Sequence, residues 1–144
     1  MRKIAGAIGL GAALTMGCLV TAGGASAEQA QPRSLYAPSA LVLTIGYGED
    51  ARTATVQRAV TLSCNPKAVG THPAPAEACA ELDRVQGDFT VLQAAGTAPG
   101  TFCTKDYRPV VVTAQGVWEG RSIRYTHTFS NSCVMQSTSP VFAF

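Results

Sequence analysis

Residues 109–129 read PVVVTAQGVWEGRSIRYTHTF, and the alternation within them decides the fold class. Val110, Val111, Val112 and Thr113 form a β-branched run. After Gly120, the residues Ile123, Tyr125, His127 and Phe129 occupy alternate positions, with Arg124, Thr126 and Thr128 between them. A period of two puts successive side chains on opposite faces, the pattern of a strand with one face buried. Gln115-Gly116 or Glu119-Gly120 could join the two strands. The second leaves flanks of similar length and lets Gly116 occupy a bulge, so an antiparallel hairpin turning at Glu119-Gly120 is predicted.

Upstream, Leu41 to Ile45 is a β-branched run stopped by Gly46 and Gly48, and it reads as a first strand. Val56, Arg58, Val60 and Leu62 share one parity of a second. Arg58 spoils that face, so its side chain is expected to escape at an edge. Asn65 to Pro75 holds Asn-Pro, His-Pro and Ala-Pro and is a loop. Pro75 suits the first turn of a helix, where its missing N–H had no partner. Cys79, Leu82, Val85 or Gln86, Phe89 and Leu92 then recur at three- and four-residue steps, predicting one amphipathic helix that carries the cysteine inward and is weakened by Gly87. Ala95 to Phe102 is loop again, with room for a second short helix among the loops. Val141 to Phe144 closes as a short apolar strand. About five strands and one clear helix, segregated rather than alternating, make an α+β domain on an antiparallel sheet.

The chain opens with Met1, Arg2 and Lys3, continues apolar from Ile4 to Val20, and reaches Ala25, Ser26 and Ala27. This three-part layout is that of a secretory signal peptide over 1–27. Gly and Thr interrupt the apolar run, which argues against a permanent membrane span. Thr15, Met16 and Gly17 make a poor acylation signal before Cys18, so no lipid anchor is expected. A flexible polar leader over 28–34 and one domain over 35–144 follow. Without Arg2 and Lys3, the positive and negative side chains balance, and the product lacks the basic field that nucleic acid or an anionic membrane would need. Its length supports a single, modest core.

Setting Cys18 aside leaves Cys64, Cys79, Cys103 and Cys133. An even count on an exported chain implies two disulfides, with three pairings open. No Cys-x-x-Cys or His-x-x-x-His spacing gathers a metal site, and no cofactor is implied.

Enzyme chemistry needs converging acids, bases or nucleophiles. His72 reads as a surface-loop histidine and His127 as a half-buried strand histidine; a small secreted hydrolase built on either is the alternative, and a structural or interaction dimer is another. No Gly-x-Ser-x-Gly, His-Glu-x-x-His or phosphate-cradling loop occurs. The segment Phe102-Cys103-Thr104-Lys105-Asp106-Tyr107-Arg108-Pro109 is more informative. A Gly/Pro-rich approach, a cysteine two residues before Lys105 and a proline four residues after it describe an exposed stretch held extended, with little conformational freedom to lose on binding. Such a stretch suits the cleft of a protease, where an extended backbone pairs and one side chain enters a primary pocket. A lysine there suits a trypsin-type pocket with a carboxylate at its base.

Several segments carry a resemblance: Leu35 to Thr44, Arg58 to Leu62, Gly70-Thr71-His72-Pro73-Ala74, Gly116-Val117-Trp118, Phe129-Ser130-Asn131 and Val141 to Phe144. From about Ser34 to the last residue, all four of these cysteines included, the chain resembles the Streptomyces subtilisin inhibitor family. The resemblance implies disulfides Cys64–Cys79 and Cys103–Cys133, a five-stranded antiparallel sheet with two helices packed on it, and a homodimer formed through the sheet. It implies a secreted inhibitor of subtilisin-like and trypsin-like serine proteases, not an enzyme. The reactive bond implied is Lys105–Asp106, with Phe102, Cys103, Thr104, Tyr107 and Arg108 as the protease-binding loop and Phe102 where subtilisins accept a large apolar group. Asn131 resembles the family's supporting asparagine, whose amide bonds the loop backbone. Asp106 departs from the apolar or neutral residue that members often carry after the scissile carbonyl, and Arg108 is its candidate partner.

Overall fold

A computed structural model describes residues 38–144; the signal segment expected over 1–27 and the leader over 28–34 lie outside them. Strands β1 (Ala40–Tyr47), β2 (Thr55–Ser63), β3 (Val69–Gly70), β4 (Val110–Trp118) and β5 (Arg121–Phe129) form one sheet in the order β3-β2-β1-β4-β5. Every neighbouring pair is antiparallel. Helices α1 (Pro75–Arg84), α2 (Phe89–Ala94) and α3 (Ser132–Thr138), with a 3₁₀ turn at Pro140–Phe142, complete the described residues.

The β4–β5 hairpin turns at Glu119-Gly120 as expected, with Trp118 opposite Arg121. Both turn residues have positive φ, 47° and 77°, the geometry whose twist matches that of right-handed strands. Gly116 does not sit in a bulge, because its pairing with Leu41 on one side and Ile123 on the other is unbroken. Its φ is +143°, and a Cβ there would lie 2.2 Å from the Ala40 carbonyl oxygen. Close approach of β1 therefore requires the glycine.

The irregularity falls instead between β1 and β2, where Ile45 faces Arg58 but Gly46 already faces Val56. Because β3 pairs only with Leu62 and Ser63, β2 is the sheet edge at Arg58, and the guanidinium reaches solvent as the sequence required.

Leu41, Leu43, Val60, Leu62, Val112 and Ala114 cover one sheet face and are nearly solvent-free. Against them pack Leu82, Phe89, Leu92, Met135, Val141 and Phe142. The opposite face, with Val42, Thr44, Thr61, Thr113 and Thr126, carries no helix among the described residues.

Three further expectations change. The helix foreseen from Pro75 through Leu92 is two helices: the backbone turns left-handed at Gln86 and Gly87, with φ 53° and 72°. A Cβ at Gly87 would lie 2.5 Å from the Trp118 indole, so this break lets the chain lie directly on that ring. Asp88 then starts α2, its carboxylate accepting from the Thr90 N–H at 2.9 Å. The tail is not a strand. Pro140 has no N–H for a ladder, and the Ser139 hydroxyl caps the turn by accepting from the Val141 N–H at 3.1 Å; the remaining strand of the sheet is Val69–Gly70, inside the proline-rich loop. Finally, His72 is buried rather than at the surface, 3% exposed. Its Nδ1 accepts from the Ala74 N–H at 3.1 Å, which leaves Nε2–H to donate to the Val141 carbonyl at 3.3 Å. The imidazole thereby pins the tail to the loop before α1.

Candidate functional site

Disulfides join Cys64 to Cys79 and Cys103 to Cys133. The first ties the end of β2 to α1. The second ties the segment 102–109 to the first turn of α3.

That segment runs between fixed points. Before it, the Ala98 N–H donates to the Ser137 carbonyl at 2.9 Å, holding the Gly/Pro-rich approach against the end of α3. After it, the Arg108 N–H donates to the Ser130 carbonyl at 2.8 Å, and the Pro109 carbonyl accepts from the Gly48 N–H at 3.0 Å. Between them lies Asn131, 5% exposed. Its Oδ1 caps α3 by accepting from the Val134 N–H at 3.0 Å. Its Nδ2 donates to the Thr104 carbonyl at 3.0 Å and to the Asp106 carbonyl at 3.1 Å. One carboxamide thus spans Lys105 from behind, using both of its N–H donors on the segment and its oxygen on the helix.

The Asp106 side chain folds back toward the acyl half of the same segment. Its carboxylate accepts from the Thr104 hydroxyl and from Arg108 Nε, the latter at 2.6 Å. The hydroxyl first, then the guanidinium, hold its pKa below the ordinary carboxylate value. The expected Asp106–Arg108 pair is therefore present, with Thr104 as a third member.

Lys105 itself is exposed, and its ammonium makes no hydrogen bond or ion pair among the described residues. Phe102 is 96% exposed, an unusual position for so large an apolar side chain and one with no packing explanation. Backbone and neighbouring polar groups are tied down, while Phe102 and Lys105 project.

Glu49 also supports this region, and nothing in the sequence marks it. Its carboxylate accepts from the Tyr107 hydroxyl at 2.9 Å, and its carbonyl accepts from the Thr128 hydroxyl at 2.8 Å. Glu49 follows Gly48 in the β1–β2 turn, so that turn props the departing half of the segment. The contact bridges positions 58 residues apart, beyond any local pattern.

The two histidines do not meet the segment or assemble a hydrolytic site. His72 is held as described. His127 stands between Tyr125 and Phe129, edge-on to the latter with centroids 4.6 Å apart. Burial lowers the pKa of both imidazoles, and neither has a carboxylate or hydroxyl partner among the described residues.

Comparison with known proteins accounts for this arrangement. The family model for subtilisin inhibitor-like proteins matches residues 37–131. Kexstatin-1 from Streptomyces platensis is 52% identical over the whole of both chains. The subtilase-type protease inhibitor of Streptomyces coelicolor is 52% identical over 97% of this chain and 95% of its own. Among solved structures, Streptomyces caespitosus sermetstatin, crystallised in complex with Bacillus licheniformis subtilisin, is 47% identical and superposes with a TM-score of 0.65, covering 74% of this chain and 99% of that one. The five-stranded antiparallel sheet, both disulfide pairings and the sequence agree: this chain belongs to the subtilisin inhibitor-like family, whose members inhibit proteases and are not enzymes.

Proposed function

We propose that this protein is a secreted inhibitor of subtilisin-like and trypsin-like serine proteases, with Lys105–Asp106 as its reactive bond. The observation that carries the proposal is the contrast at 102–108: projecting side chains on a backbone fixed from behind. Phe102 and Lys105 are free to enter pockets of an enzyme, while the Cys103–Cys133 bridge and the two Asn131 donors hold the chain between them. A segment fixed in this way loses little entropy on binding.

The enzyme's serine adds to the Lys105 carbonyl, and the bond to Asp106 can break. Both new ends stay in place, because Thr104 and Asp106 are each bonded to Asn131 and the disulfide retains the acyl side. The amine returns to the acyl carbon faster than water displaces it, so turnover is slow. The named target of the sermetstatin complex, a subtilisin, supports a serine protease as partner; the lysine extends the reading to trypsin-like enzymes.

The test is titration of trypsin and subtilisin with the wild type and with Lys105→Gly. Loss of the lysine should weaken trypsin inhibition on the order of a hundredfold or more, the usual cost of removing a buried charge partner at an interface. Subtilisin inhibition should survive in part through Phe102. Equal inhibition of trypsin by both proteins would remove Lys105 as the anchor, and a wild type that inhibits neither enzyme would favour a purely structural dimer.

Self-association belongs to the same proposal. The bare sheet face around Val42, which is 46% exposed, supports a homodimer joined through the sheet. Equilibrium sedimentation should give twice the chain mass, and a monomer at micromolar concentration would refute it.

A further inference from the structure

We propose that Thr104, Asp106 and Arg108 form a second staple across the reactive bond, made by side chains and separate from the Asn131 bonds to the backbone, with Asp106 as a positioning residue that favours resealing over release. This rests on the reading of Lys105–Asp106 as the reactive bond.

Asp106 contributes the amine half of the bond, yet its side chain turns back to the Thr104 hydroxyl on the acyl half and outward to Arg108 Nε at 2.6 Å. Its side chain is 34% exposed against 84% for Arg108, so the carboxylate lies against the loop instead of trailing in solvent. Ionised, it is an acceptor only, and two donors meet it.

Lys105 lies between these partners with no tie of its own. The segment is therefore gripped twice: through its carbonyls by Asn131, and through side chains by Asp106. An unpaired carboxylate just after the scissile carbonyl would drift and leave a charge to be desolvated when an enzyme docks. The pairing instead keeps this charge occupied within the inhibitor itself.

The chemical step affected is reversible acyl transfer. The protease serine oxygen bonds to the Lys105 carbonyl carbon and gives its proton to the enzyme's histidine. The C–N bond then breaks, and that proton passes to the departing Asp106 nitrogen. In reverse, the neutral amine attacks the acyl carbon and the serine regains its proton. No oxidant or cofactor enters. The Thr104–Asp106 contact joins the two product ends directly, so it raises the local concentration of amine at the acyl carbon.

The experiment incubates wild type, Thr104→Val, Thr104→Ser, Asp106→Asn and the Thr104→Val/Asp106→Asn double variant with catalytic amounts of trypsin until the intact-to-cleaved ratio is constant. Products are identified by mass after reduction. Each of Thr104→Val and Asp106→Asn should shift the ratio toward the cleaved form by about two- to fivefold, the range of an exposed charged contact. Thr104→Ser should match the wild type, and the double variant should be no worse than either single one, as expected for two partners in one interaction. Thermal melting of the intact proteins should change little.

Cleavage at Lys105–Asp106 with ratios equal in all variants would overturn the staple and leave the inhibitor reading standing. Additive effects in the double variant, or a Thr104→Ser protein no better than Thr104→Val, would also overturn it. A cut at another bond would overturn the inhibitor reading, and the staple with it.

Discussion

Replacing Asn131 separates two jobs that one side chain performs. Its oxygen caps α3, and its amide spans the segment through two carbonyls. Truncation in Asn131→Ala removes the cap, worth about 1 kcal/mol, and two neutral side-chain bonds, worth about 1 kcal/mol each. The folded state should therefore lose about 3 kcal/mol, equivalent to a fall in Tm of roughly 10 °C or more. Asn131→Asp keeps the acceptor that caps the helix but loses both donors, and it places a buried carboxylate against two carbonyl oxygens. At neutral pH it should be at least as unstable. Protonation turns that carboxyl into a donor, so the folded state raises its pKa. Stability and inhibition should then recover below the ordinary aspartate range and be lost as pH rises through the raised value. The wild type, with a carboxamide that does not titrate at this position, should show no such recovery.

The assay pairs urea denaturation with the rate at which trypsin converts inhibitor to fragments at about pH 7 and pH 5. Both variants should be hydrolysed faster than the wild type, and Asn131→Asp should be partly rescued in acid. If Asn131→Ala is cleaved no faster while its helix is destabilised, the carboxamide acts only as a cap, and the spanning bonds do not restrain the loop.

Two other expectations follow from the disulfides and the buried imidazole. Replacing Cys103 and Cys133 by serine opens a loop of sequence separation 30, which the chain-entropy model values at about 3–4 kcal/mol; urea midpoints should fall accordingly, and protease should turn the protein over as a substrate, whereas retained inhibition would show that Asn131 alone suffices. For His72, burial, helped by the charge of Arg58, pushes the imidazole below its ordinary 6.5, against the opposing pull of its two backbone bonds. The unfolded chain therefore takes up the proton first. Stability should be level above about pH 6.5 and fall as pH drops from there toward the lowered value, by at most about 1.4 kcal/mol per pH unit for this group. His72→Gln should flatten the part of this slope that His127, shifted the same way, does not supply; an unchanged slope in urea midpoints would refute the assignment.

What the sequence discloses and what it hides divide along the range of the interactions. The alternation Ile123, Tyr125, His127, Phe129 places β5 because strand period is written locally, and the Glu119-Gly120 turn is local as well. Lys105 stands out because the cysteine and proline that fix its surroundings are near neighbours. The break at Gly87 is hidden, since apolar spacing continues through it and the reason to stop is the indole of Trp118 on another strand. His72 is hidden for the same reason: its partner is a backbone carbonyl 69 residues away, and a carbonyl has no sequence signature. The pairing of the cysteines and the part played by Asn131 came into view only through family resemblance. Glu49 has no such precedent among the residues that carry the resemblance, and it emerges only when the β1–β2 turn is seen beneath Tyr107.

The sheet order divides the molecule in a way its covalent links do not repair. Strands β1 and β2 form one hairpin and β4 and β5 another, and within the sheet the two are joined by the β1–β4 ladder, where Leu43 faces Ala114. Cys64–Cys79 lies wholly on the first side of that seam and Cys103–Cys133 wholly on the second. No disulfide therefore stops an oxidised chain from parting along its middle like the covers of a book; the ladder and the ties of Glu49 to Tyr107 and Thr128 and of His72 to Val141 must do so. Joining the covers brings together segments far apart in the chain, the slow kind of event in folding. Hydrogen exchange at β1 and β4 should accordingly report when the whole molecule, rather than either half, is closed.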